Sequence, residues 1–312
     1  PETHNALAAY LASYPIEGLD APISDSPVQF WLQRLALLVV DNDQSGVRLF
    51  TALAGVLLGV LPILFRDYIG RSRAFLFAVL LTFSPVVFIS SRLGSDAIWS
   101  MIFALLGLWT FWRYWRDDLQ SYAVASVVLF TTMTLLTGPS GPMLALILLF
   151  AGIMALTLTS VDHTANDDAT SDEVVKGVRD RLLEMPWGSA FIGSILTVFI
   201  VSTGFMIHPS GLSMVGAIVE GFLTSFSDRI AGAPSFFPLV ASLFYEPWAW
   251  IFAGITLGML MSRGALDFVS RFLVFWVIGS LFAAILTSGA GADYALWLIV
   301  PLLGLSAYLF EE

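Results

Sequence analysis

Residues 48–97 decide the fold: RLFTALAGVLLGVLPILF (48–65), RDYIGRSR (66–73), AFLFAVLLTFSPVVFIS (74–90) and SRLGSDA (91–97). Two apolar runs flank a short cationic turn, and the second run ends on Arg92 and Asp96. Each run is close to the ~20 residues that an α-helix needs to cross a bilayer. Hydrocarbon offers the backbone no hydrogen-bond partners, so each run is read as a spanning helix. Arg66, Arg71 and Arg73 place the turn on the cytoplasmic side by the positive-inside rule. The stretch from Ser90 to Asp96 then lies outside.

Working outward, further spans are expected at about 97–115, 121–138, 142–160, 188–207, 240–261, 268–287 and 293–310. With 49–65 and 73–90 they make about nine. The loops support the alternation. Arg113 and Arg116, then Lys176, Arg179 and Arg181, then Arg263 and Arg271 all fall on the side of the first turn. The other side holds Arg34, Arg48, Arg92 and Arg229 among many acids. The expected fold class is therefore all-α, a polytopic membrane bundle with interfacial helices in its external loops.

Composition agrees: 57% of the residues are hydrophobic and 12% charged, which no water-soluble domain of this length matches. A net charge of −10 argues against nucleic acid as a partner. The chain has no Cys, so disulfides, thiolate catalysis and Cys-ligated metals are excluded. His4, His163 and His208 fall in separate loops, and no divalent metal is indicated. The chain begins with Pro1 rather than Met, as a processed or incomplete N-terminus would.

Four regions follow. Residues 1–47 read as an external loop with interfacial helices, Phe30, Trp31, Leu35 and Leu38 sharing one face. Residues 48–160 are the first part of the bundle. Residues 161–187 are a polar cytoplasmic linker with a short helix. Residues 188–312 are the second part, with an external interfacial helix at about 211–230 whose stripe is Leu212, Val215, Val219, Phe222 and Phe226. The run 138–142, GPSGP, is a tight external turn. No inverted pair of broken helices of the transporter kind is expected.

Candidate chemistry sits at the outer helix ends. Asp96 opens a helix four residues after Arg92, where the helix dipole favours an acid and an Arg pair is easy. Glu246 lies among aromatics in Tyr245-Glu246-Pro247-Trp248, where an acid is costly unless paired or wet. Glu2 and His4 lie together in the first loop. Predicted span centres carry almost no ionisable residues, which argues against a transporter or channel.

The order of an acidic external loop, SPVQFWLQRLALLVV (26–40), the 48–97 hairpin and LFYEPWAW (243–250) resembles the GT-C superfamily of membrane glycosyltransferases. The protein mannosyltransferase and aminoarabinose transferase branch is the nearest. The resemblance implies transfer of a sugar from a polyprenyl-phosphate carrier to an acceptor outside the cytoplasm. It implies no further cofactor, and a prokaryotic cytoplasmic (inner) membrane location with the N-terminal loop outside.

The partners so implied are membrane lipids, the lipid-linked sugar donor and other membrane subunits. Glu2 and Asp96 would be the catalytic acids. Arg92 would lie nearest the carrier phosphate, with Glu246 and His4 lining the cleft. Pro1 stands where the family has Asp, Asp25-Ser26-Pro27 where it has His-Gly-Pro, and Ala292-Asp293 where relatives have Glu-Lys before a Trp. These departures keep a second reading open, a non-catalytic accessory subunit that packs on partners through the GxxxG pair Gly55 and Gly59.

Overall fold

A computed structural model describes residues 2–13, 23–39, 44–166, 179–207, 209–227, 236–264, 266–287 and 291–310. Among the described residues every regular element is a helix. Two helices, α1 (Glu2–Ser13) and α2 (Pro27–Val39), precede the bundle. The first expected span is α3 (Gln44–Val60), prolonged through a 3-10 turn at Leu61–Phe65 to Ile69. The second is broken into α4 (Arg71–Thr82) and α5 (Pro85–Arg92), bent by 53°. Then come α6 (Asp96–Asp117), α7 (Gln120–Leu136), α8 (Ser140–Asn166) and α9 (Trp187–Thr203). The external helix is α10 (Leu212–Thr224). The span expected at 240–261 is also broken, into α11 (Phe237–Tyr245) and α12 (Pro247–Ser262), at 90°. Helices α13 (Phe268–Leu286) and α14 (Leu296–Ser306) close the chain.

Among the described residues four helical stretches are long and apolar enough to cross a membrane, and up to six if each bent pair counts as one. The protein is an integral membrane protein, but the expected count of nine is not reached by length and composition. Helices α7 and α9 have 17 residues each. The bundle is built around α14, whose eleven residues are all buried. Helix α13 packs on both α8 and α14, and α12 packs on α14 from another side. Close approach is possible because Gly279 faces Phe150 and Gly304 faces Leu273.

Both breaks occur at proline. A proline pushes the residue before it out of the helical region. Ser84 is extended (φ −67°, ψ 119°) and Glu246 has φ −140° and ψ 59°. Two spans expected to be continuous are thus bent pairs among the described residues.

The cationic loops share one end of the bundle. Arg116 pairs with Asp67 at 3.7 Å, Arg113 with Asp117 at 2.9 Å and Arg181 with Asp118 at 3.7 Å. Arg181 also donates to the Trp115 carbonyl at 2.7 Å. Trp112 joins Tyr68 and Phe268 at this end, with ring centroids 5.2 and 5.8 Å apart. Helix α8 continues to Asn166, past the expected end at 160. Lys176 and the first six residues of the expected cytoplasmic helix, 173–178, lie outside the described residues.

The amphipathic stripes came out differently. In α2 the buried residues include Phe30 with Gln29 and Gln33 (each 1% exposed), while Leu35 and Leu38 (66% exposed) face outward. In α10 the buried residues are Met214 and Ile218, and Leu212 and Val219 are exposed. Lipid is as apolar as leucine, so apolar faces can look outward and polar ones must turn in. Ala8, Ala9, Phe30, Leu37 and Met214 form a small second core joining α1, α2 and α10.

The GxxxG pair is used inside the chain. A Cβ on Gly55 would lie 2.6 Å from Ser91 Cβ, and one on Gly59 the same distance from Thr82 Oγ1. These glycines let α3 approach the broken span α4–α5. Gly55→Leu is expected to cost about 1–3 kcal/mol by overpacking, read as a lower midpoint in detergent unfolding. An unchanged midpoint, with loss of a co-purifying subunit, would return these glycines to a partner interface.

Candidate active site at the acidic end of the bundle

The end opposite the arginine cluster is built by the N-terminus of α6. Ser95 caps it, its Oγ accepting from Ala97 N at 3.1 Å. Asp96, the first helical residue, is 7% exposed. Its Oδ2 accepts from the backbone N–H of Ser140 at 3.0 Å, at the start of α8. The turn at 138–142 passes so close that a Cβ on Gly138 would lie 2.6 Å from Asp96 Cβ and 2.9 Å from Cγ. Gly138 has φ +141°, which suits glycine. Behind Asp96, the hydroxyls of Ser100, Thr137 and Ser140 join, both links to Ser100 Oγ being 2.7 Å. Ser26 Oγ donates to the Thr137 carbonyl at 2.5 Å, tying the outer loop to the turn.

Two more acids converge here. Asp25, just before α2, and Asp293, just before α14, lie within electrostatic range of Asp96 and of the Tyr294 hydroxyl. Ser95 Oγ donates to Asp293 Oδ2 at 2.5 Å. Tyr294 stacks on Trp297, with centroids 4.5 Å apart and planes at 13°. Gln29 Nε2 donates to the Gly94 carbonyl at 2.5 Å, one residue before the cap. Segments far apart in sequence thus meet around one carboxyl.

Arg92 is exposed, with its guanidinium carbon 4.7 Å from the Phe88 ring centroid. No ion pair joins it to Asp96 among the described residues, so the easy pair expected at this spacing is not made. Arg34 stacks over Trp31 at 5.2 Å. Arg229 and His208 lie outside the described residues, as do the side chains of Glu2, His4 and His163. Glu2 and His4 fall in α1.

Glu246 is fully buried. Its Oε1 accepts from the Ser84 hydroxyl and from Val86 N at 3.0 Å. It is therefore engaged with the break of the other bent span. Among the described residues, no group of three or more His, Cys, Asp or Glu is disposed to hold a metal ion.

Asp25, Asp293, Ser95, Ser140 and Gly138 were not singled out as site residues in the sequence. Asp25 and Asp293 register there only as departures from a family pattern. The usable signal was their place, in external loops just before helices.

Residues 21–163 match the family described as Dolichyl-phosphate-mannose-protein mannosyltransferase. The fold is similar to ArnT from Cupriavidus metallidurans bound to undecaprenyl phosphate, at 16% identity and a TM-score of 0.65. That match covers 98% of this chain and 55% of ArnT. ArnT in the apo state matches at 16% identity and a TM-score of 0.64, over 98% of this chain and 53% of its own. The chain thus spans about half the length of the solved structures it matches. No curated protein sequence matches it.

Proposed function

On a fold of the GT-C glycosyltransferase type, like that of ArnT, we propose that this chain moves a sugar from a polyprenyl-phosphate carrier to an acceptor on the extracytoplasmic side. The observation that carries the reading is the convergence of Asp25, Asp96 and Asp293 at one end of the bundle, with Arg92, four residues before Asp96, exposed and making no ion pair among the described residues. The arginine cluster at the other end supports placing the acidic end outside the cytoplasm, by the positive-inside rule.

Sugar transfer needs a carboxylate to orient or deprotonate the acceptor hydroxyl, and a cation to stabilise the departing phosphate. Asp96 is held by the Ser140 N–H and the helix dipole, so its carboxyl is aimed before substrate arrives. Asp25 and Asp293 hold negative potential around it, which favours a neutral acceptor hydroxyl over a second phosphate. Glu2 is the further acid in this reading and His4 a cleft-lining group. Arg92, exposed at the membrane boundary, meets the carrier phosphate. The acceptor hydroxyl gives its proton to Asp96 and attacks the anomeric carbon as the sugar–phosphate bond breaks, and the carrier phosphate departs against Arg92.

The test is made with the whole chain in nanodiscs. Undecaprenyl phosphate serves as the binding probe and a labelled polyprenyl-phosphate sugar as donor. Arg92→Ala is expected to weaken binding of the probe about tenfold, the loss of a charge-assisted contact. Equal binding by Arg92→Ala would take the phosphate role from Arg92. A native chain that neither binds the probe nor transfers sugar would remove the transferase reading.

A further inference from the structure

Helix α5 is eight residues long and continuous with neither neighbour. The bend at Ser84 separates it from α4, and a turn through Gly94 (φ +64°) separates it from α6. Its direction comes from packing on α3, where Gly55 lies against Ser91, and from side chains that grip its ends. Three of those side chains come from elsewhere in the chain. At the start, Glu246 Oε1 accepts from Ser84 Oγ and Val86 N, supplying an acceptor to the unpaired first turn. At the far end, Gln29 holds the Gly94 carbonyl and Asp293 holds the Ser95 hydroxyl.

Glu246 is itself the break between α11 and α12. Its backbone N–H donates to the Ser242 carbonyl at 3.0 Å, and its carbonyl accepts from Ala249 N at 3.1 Å. Its place is thus fixed on both sides of a right-angle bend. A buried carboxyl is an expensive way to cap a helix, since hydroxyl or amide caps cost less to desolvate. What it adds here is a connection between the two proline breaks.

We infer that Glu246 is a positioning residue for Arg92 and Asp96: it clamps the segment 84–96 from one end, as Asp293 clamps it from the other. This rests on the transferase reading for what the positioned groups do, but the clamp itself is geometric. Arg92 lies six residues beyond Val86, about 9 Å along a helix. A tilt of about 10° at the clamp would displace it by about 1.6 Å. Misplacement of about 1 Å in a reacting assembly costs on the order of 10²-fold in rate.

The absence of Cys makes a clean test. Leu93 and Ile251 are both exposed, one at the end of α5 and one on α12. Cysteines at both, labelled with nitroxides in nanodiscs, report the distance between the two elements. Glu246→Ala is expected to raise the population of displaced distances about tenfold. Glu246→Gln keeps an acceptor oxygen and should restore the native distribution. Per folded molecule, kcat/KM should fall on the order of 10²-fold in Glu246→Ala and recover in Glu246→Gln.

A native distance distribution in Glu246→Ala would overturn the clamp. If Glu246→Ala does not fold, Glu246→Asp, whose carboxyl falls one methylene short of Ser84 and Val86, replaces it: a broadened distribution supports the clamp, and an unchanged one overturns it. Broadening in a chain whose native form neither binds undecaprenyl phosphate nor transfers sugar would keep the clamp and remove the transferase reading.

Discussion

Asp96→Asn should lower sugar transfer by about 10²–10⁴-fold, the range that a positioned acid or base supplies. The substitution keeps the shape of the side chain and an oxygen able to accept from Ser140 N. It removes the basic lone pair and the negative charge. The lost charge–dipole interaction at the start of α6 is worth about 0.3–1 kcal/mol. Relief of repulsion from Asp25 and Asp293 acts in the opposite sense. Stability should therefore change little while the rate collapses. Initial rates with a labelled polyprenyl-phosphate sugar, set beside detergent unfolding, separate the two. A variant that is fully active would reduce Asp96 to a helix cap.

Gly138→Ala should act on the same carboxyl from the other side, and through stability as well. Its φ of +141° is a region that side chains avoid, at a cost of about 1–3 kcal/mol. The new methyl would overlap Asp96 Cβ and Cγ, adding about 1–3 kcal/mol for overpacking. Relaxation must move either the turn or the carboxyl. The turn carries Ser140, which holds both Asp96 and the Ser100 hydroxyl cluster. Loss of transfer is expected even below the unfolding midpoint. Thermal unfolding gives the stability part, and activity at a temperature where the variant is folded gives the site part. Native stability together with native activity would show that the turn does not press on Asp96.

Much of this protein is local chemistry and was legible as such. Apolar runs near the thickness of a bilayer become helices because hydrocarbon leaves the backbone no other partner. The arginine-bearing loops gather at one end, as their alternation along the chain required. Ser95-Asp96 at the start of α6 is a cap that reads directly from residue type and position.

What only the tertiary structure decided depends on distance along the chain and on the solvent. Ser84 and Glu246 are 162 residues apart, and Ser95 and Asp293 are 198 apart. No local propensity connects them, so prolines that mark two breaks do not say that the breaks meet. The buried faces of α2 and α10 could not be read from an apolar stripe, because in a membrane the stripe may face lipid. Gln29 and Gln33 went inward while Leu38 stayed out. There the cost of exposing an amide to lipid, rather than the need to hide apolar groups, chooses the inside face, and Gln29 finds the Gly94 carbonyl there.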